Sequence, residues 1–231
     1  MYICSMGWNS VGSAVPFPTD FKAWGKRKKS NPPSDEDLIV AGKKYVQDFF
    51  IEVIGGEDPI PDEHILIVTT MTFPDPTSVS GRHGHIGMNV ELLTGMFAVG
   101  TSGDSHRMNL ILIDVAHFLL NNTEAKTTLY IVFVCRSGRH RSVLCANVLR
   151  YILSDDEEGK FCFVNWTHFC EFYWRAVKCQ KRGYDMCDQC REGSYLASPA
   201  ALDIIKRVGS VFRASLVLMN SEEHWFSPTS E

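Results

Sequence analysis

The stretch VFVCRSGRHRSVLCANVLRYIL, residues 132–153, decides the fold. An unbroken apolar run over residues 129–134 stops at Cys135, and a short loop rich in cationic side chains follows. From Arg141 the apolar positions Leu144, Val148, Tyr151 and Ile152 recur at helical spacing. The run reads as a strand buried on both faces, and the change of period marks strand, tight loop and helix N-terminus. The first N–H groups of a helix lack partners within it and carry the positive end of its dipole, so such a loop attracts anions. Gly138 permits a turn or a close backbone approach, and Arg136, Arg139, His140 and Arg141 surround it with positive charge. The bland alternative is a structural connection whose arginines cap carboxylates. Like charges packed this closely repel unless an anion sits among them, so the loop is expected to hold a phosphate.

Outward from this stretch, strands and helices alternate. Upstream, the β-branched run at 65–68 reads as a buried strand leading into the loop TMTFPDPTSVSGRHGHIG, residues 70–87. Asp104 or Ser105 can cap a helix carrying Met108, Leu112, Val115, Phe118 and Leu119 near one face. Further upstream, SDED from Ser34 opens a helix that Gly55, Gly56, Pro59 and Pro61 end. Downstream, 161–166 is a third strand candidate and 198–219 a last helix started by Ser-Pro-Ala. This order predicts an α/β fold: a mostly parallel central sheet with flanking helices in Rossmann-like layers, plus a Cys-rich C-terminal extension. Ligands in such sheets bind beyond the carboxyl ends of the strands, so the loop at 75–87 and the Cys135 loop are expected to face one site. The expected divisions are a poorly ordered arm at 1–34, an α/β domain at 35–194 that includes the Cys-rich segment 168–190, a helix at 195–219 and a tail at 220–231.

A chain of 231 residues can bury a sizeable core. Its net charge of −4 excludes a wholesale nucleic-acid coat, so any RNA contact would use a local basic patch such as the Cys135 loop. Eight cysteines in a chain of this length, with no signal-peptide pattern at its start, read as reduced thiols. No apolar run approaches the roughly 20 residues that span a bilayer. The expectation is an intracellular, cytoplasmic protein with no membrane partner, and the basic cluster at 26–29 admits a nuclear location. Oligomeric state is not legible.

CRSGRHRS fits the CxxGxxR[S/T] loop of cysteine-dependent phosphatases. In that chemistry Cys135 is the nucleophile, Arg141 clamps the phosphoryl oxygens and Ser142 helps the thiolate leave. Phe73-Pro74-Asp75 resembles the Trp-Pro-Asp loop and offers Asp75 as general acid. Two departures weigh against turnover: Val134 stands where these enzymes usually carry His, and Asp75 lies further upstream than their acid loop.

A second resemblance covers more of the chain, from about His64 to Cys190. CRSGRHRSV resembles the CTGGxHRSV loop of the RNase adapter (RapZ) C-terminal domain family, matching at Cys135, Gly138, His140, Arg141, Ser142 and Val143. FPDP (73–76) and GHIG (84–87) sit where that family has comparable segments, and His168 is placed like the His of its HRDL segment. The resemblance implies a sensor of a phosphorylated small molecule such as glucosamine-6-phosphate, with a small RNA and a ribonuclease as partners and no required cofactor. The resemblance implies Cys135, Gly138, His140, Arg141, Ser142 and His168 as ligands; the loop's own composition adds Arg136, Ser137 and Arg139, and His83 and His85 are either solvated or hydrogen-bonded loop histidines or a second cationic or hydrogen-bonding wall. The family's Asp-x-Arg strand motif is replaced here by residues such as Thr69 and Met71, and loss of a guanidinium fork changes which phosphate oxygens are held. No GxxxxGK[ST] stretch occurs. Binding without turnover is therefore the favoured reading, and a cysteine-dependent phosphatase the alternative.

Cys170, Cys179, Cys187 and Cys190 gather near the C-terminus, the last two as CDQC. One reading is structural zinc held by these four, with His168 as a substitute for Cys170. The other is a set of small buried thiols. Redox chemistry is disfavoured because no thioredoxin-like strand precedes CDQC.

Overall fold

The computed structural model describes residues 1–7, 34–54, 59–73, 84–97, 102–122, 128–136, 138–154, 165–168, 179, 185–191 and 194–225. Four strands, β1 (Tyr2–Gly7), β2 (Ile65–Thr69), β3 (Tyr130–Cys135) and β4 (Asn165–His168), form one sheet in the order β2-β3-β1-β4. Every pairing is parallel. Among the described residues five α-helices accompany them: α1 (Asp35–Ile54), α2 (Val90–Met96), α3 (Ser102–Leu120), α4 (Arg141–Ser154) and α5 (Pro199–Trp225). The α/β class and parallel sheet are as the sequence predicts.

Alternation along the strands assigns the two faces. Cys4 and Met6 of β1, Ile65 and Ile67 of β2, and Val132 and Val134 of β3 pack with Leu38, Tyr45 and Val46 of α1. Ile3, Val68, Ile131 and Phe133 point the other way, into a larger cluster with Leu92, Leu112, Val115, Leu144, Val148, Ile204 and Phe212 of α2 to α5. Helices cover both faces, which explains why β3 is apolar and buried at all six positions. Each fully buried aliphatic side chain contributes about 1.5–3 kcal/mol, so β3 and α4, with ten buried residues of its own, anchor the fold.

Four sequence expectations change. Tyr2–Gly7, assigned to a poorly ordered arm, is instead an interior strand between β3 and β4. YICSMG carries no long β-branched run, and what makes it a strand is pairing on both sides, with five of its six residues buried. The rest of that arm, residues 8–33, lies outside the described residues. The third predicted strand is found at Asn165–His168, running two residues past the expected end at 166, and 161–164 lie outside the described residues. Helix α3 begins at Ser102, so Asp104 and Ser105 lie in its first turn rather than before it. Helix α5 continues past Asn220 to Trp225. Helix α2 was not anticipated; Asn89 caps it, its Oδ1 accepting from Glu91 N at 2.8 Å and Leu92 N at 3.2 Å.

The connection leaving β1 leads to a helix on one face, while the chain leaving β3 enters α4 on the other. Gly7 and Cys135 are neighbours in register at the carboxyl edge where these paths diverge, the place at which open parallel sheets receive ligands. Among the described residues no helix is long and apolar enough to cross a membrane. The six cysteines described are free thiols.

Candidate functional site

Cys135 ends β3 with 2% of its surface exposed, and its Sγ lies 3.1 Å from Ser142 Oγ, itself fully buried. The loop turns at Gly138, whose φ of 61° is a left-handed conformation that a Cβ would disfavour by about 1–2 kcal/mol. The helical ladder of α4 starts with Leu144 N donating to His140 O at 2.8 Å. The N–H groups of Arg141, Ser142 and Val143 therefore precede it, and the first turn holds no acidic residue. Positive dipole and Arg141 together stand without a carboxylate of that turn to offset them.

Arg141 reaches across to the chain leaving β2. Its Nη1 donates to Met71 O and Phe73 O, each at 2.8 Å. That segment is brought there by Thr70, buried, whose N and Oγ1 both donate to Val134 O at 2.8 and 2.9 Å. Among the described residues Arg141 spends only Nη1 on the protein. A guanidinium has five donors in a fixed fork, so Nε and Nη2 remain for an oxyanion.

His140, 3% exposed, does not lie open to solvent. Its Nε2 is 3.0 Å from His85 O, which as a carbonyl only accepts, so Nε2 carries the proton. Nδ1 is then the acceptor, and Arg139 Nε approaches it at 3.5 Å. Gly87 N donates to Arg139 O at 2.8 Å. A Cβ on Gly87 would lie 2.2 Å from His140 O and 2.7 Å from Leu144 N, so only glycine permits this contact. Tyr195 OH donates to Gly87 O and Ser194 Oγ to Met88 O at 3.0 Å, gripping the same segment from its other side. Burial pushes the Tyr195 phenol well above its usual range, which keeps it a neutral donor.

His85 departs from the sequence reading, which placed it on the anion wall. Its Nδ1 faces three thiols, with Cys190 Sγ at 3.3 Å, Cys187 Sγ at 3.6 Å and Cys179 Sγ at 4.0 Å. The four donor atoms lie within 4.8 Å of one another, a set that could hold a metal ion. Cys187 and Cys190 share one turn, in which Cys187 O accepts from Cys190 N at 2.9 Å and from Arg191 N at 2.8 Å. Cys179 adopts a φ of 53°, rare for a residue with a side chain, and its N–H donates to Gly84 O at 2.9 Å. Hydrogen bonding from Cys190 first, then from Cys187 and His85, holds the Cys179 thiol down to about 6 against the opposing effect of burial. Donation to Cys179 and burial raise Cys190 in turn, while the Ile86 N–H pulls it back.

The structure thus joins three of the four expected cysteines to a histidine 94 residues from the nearest of them in sequence. Nothing in the local spacing of His85 marks it as a ligand. Cys170, Ser137, His83 and Asp75 lie outside the described residues. Arg136 is exposed at the start of the loop. His168 is described only in its backbone, as the last residue of β4 in register with Ser5 of β1. The chain matches no protein-family model, no curated protein and no solved structure.

Proposed function

We propose that this chain is a phosphate-binding regulatory module, whose loop from Cys135 to Ser142 holds a phosphorylated metabolite without turning it over. The observation that carries this reading is the posture of Arg141. Its Nη1 is fixed on Met71 O and Phe73 O, so its remaining donors are pre-set beside the N-terminus of α4, whose first turn holds no acidic residue. The likeness of CRSGRHRSV to the RapZ C-terminal loop supports the same reading and points to phosphosugars first, with RNA on the same basic face second.

Thermal shift and calorimetry with phosphosugars, nucleotides, a phosphotyrosine peptide and short RNA test it. The expected result is stabilisation by a phosphosugar that Arg141→Ala weakens about 10- to 100-fold, the loss of one or two charge-assisted hydrogen bonds. Phosphate release abolished by Cys135→Ser would overturn it in favour of a phosphatase. That second reading draws support from the 3.1 Å contact of Cys135 with Ser142 and from Arg141 holding Phe73, next to Pro74-Asp75. Against it stands Val134, in the place where those enzymes usually carry His.

The metal favoured for the His85 cluster is zinc. One imidazole and three thiolates are a common structural zinc set. With Zn–S near 2.3 Å and Zn–N near 2.0 Å, tetrahedral N···S pairs stand about 3.5 Å and S···S pairs about 3.8 Å apart; the observed N···S separations are 3.3, 3.6 and 4.0 Å, and all four donor atoms lie within 4.8 Å, so a bound ion would draw the set inward. Metal analysis of chain purified without chelator should find about one zinc per molecule, and cobalt in its place should show intense tetrahedral d–d bands. Less than about 0.3 equivalents of bound metal would remove the site.

A further inference from the structure

We infer that a metal ion in the His85–Cys179–Cys187–Cys190 cluster sets the anion affinity of the Cys135 loop, acting through the main-chain carbonyl of His85 on His140. This rests on the phosphate and zinc readings above and assigns the cluster a role beyond that of a staple.

His85 belongs to both sites at once. Its ring presents Nδ1 to the three thiols, and its carbonyl accepts from His140 Nε2 at 3.0 Å. That bond selects the His140 tautomer whose Nδ1 accepts, and Arg139 Nε lies against it. A carbonyl displaced by even 1 Å would lengthen the bond beyond useful range and remove the contact that sets this tautomer. Arg139 and Arg141 flank His140 in the chain, so its setting governs how the cationic loop is presented.

The two segments are also packed directly against each other. Gly87 N is bonded to Arg139 O, and the Gly87 Cα sits too close to His140 O, Leu144 N and Val143 Cβ for a methyl group to fit. Ile86, Met88 and Val143 share a buried cluster with Cys179 and Cys190. On the metal side, Gly84 O is bonded by Cys179 N, and the Ile86 N–H reaches Cys190. The segment 84–88 is therefore a short bridge between the thiols and the start of α4. Without a metal its far end is held by three uncrosslinked thiols, one of them on a residue with a left-handed φ of 53°. With a metal, that end is fixed by coordination bonds.

Coupling of this kind is reciprocal: whatever factor zinc contributes to anion affinity, the anion must contribute to zinc affinity. The test uses the full chain loaded with one equivalent of zinc, the same chain stripped by chelator dialysis and then reloaded, and inorganic phosphate as the probe. Stripped but folded protein, checked by circular dichroism, is expected to bind phosphate at least tenfold more weakly, and reloading should restore the affinity. Saturating phosphate should strengthen zinc binding by the same factor in competition with a chromogenic chelator. His140→Ala should show the tenfold loss with zinc bound and no further loss on stripping, whereas His140→Gln, which keeps a donor, should retain most of the affinity. Equal phosphate affinity with and without zinc overturns the inference while leaving the phosphate reading intact. Continued zinc dependence in His140→Ala overturns it too, as does unfolding of the stripped chain, which would make the metal a staple alone. Failure of the zinc-loaded chain to bind any phosphate probe removes the phosphate reading and this inference together.

Discussion

Cys190→Ser is expected to abolish stoichiometric zinc binding and to lower stability by about 3–5 kcal/mol. For a chain of this size that corresponds to a fall in Tm of roughly 10 °C. Cys190 is the most enclosed of the three thiols, with no exposed surface, and its sulfur is the nearest to His85 Nδ1. Serine fits the space but offers a hard hydroxyl in place of a soft thiolate, so the coordination set loses a member without a cavity being opened. The loss is partial because the two main hydrophobic clusters form around the sheet and contain none of the four ligands. Metal content and thermal melts of purified variants check this. Cys145→Ser is the control, as Cys145 is equally buried in α4 but takes no part in the cluster. Wild-type melting and full metal content in Cys190→Ser would show that the thiols are merely small buried side chains.

Gly87→Ala is expected to destabilise by about 3 kcal/mol, at the upper end for overpacking, because the atoms in the way cannot rotate aside. A Cβ at that position would meet His140 O at 2.2 Å and Leu144 N at 2.7 Å, both backbone atoms of the first turn of α4, and Val143 Cβ at 2.9 Å. The helix start would have to retreat, and the Gly87 N–H bond to Arg139 O would stretch with it. Weakened phosphate binding should accompany the lost stability, since the displaced turn is the one that presents Arg141. Gly84→Ala is the contrasting variant, as nothing lies within 4 Å of a Cβ there. Chemical denaturation of the two variants side by side should separate them by 2 kcal/mol or so, and equal stabilities would show that the α4 turn yields freely.

Short-range pattern carries the centre of this fold. The switch from an unbroken apolar run to helical spacing at Cys135 needs only neighbouring residues, and the strand, loop and helix there fall where the pattern puts them. Ser198 likewise signals the start of α5, its Oγ accepting from Ala201 N at 3.3 Å. Helix α2 had a signal that went unused: Asn89 before Val90, then Leu92, Leu93 and Met96 on one buried side. The interior strand β1 had none, because its residues are ordinary and its order comes from two partners far along the chain.

The same division runs through the candidate site. Sequence by itself determined the Cys135 loop and the α/β class, since a backbone turn at glycine, a helix start and a buried strand are encoded within a few residues of one another. It also singled out the CDQC turn, where two thiols share one bend. Only the tertiary structure decided that His85 completes the cysteine cluster, that Arg141 is braced by Met71 and Phe73, and that His140 links the two. Those contacts span 105, 70 and 55 positions in sequence. They arise because β2 and β3 are adjacent parallel strands whose carboxyl ends release their loops on the same edge. No short-range pattern records such a meeting, as its geometry is set by strand order and by how closely Gly87 lets two backbones approach.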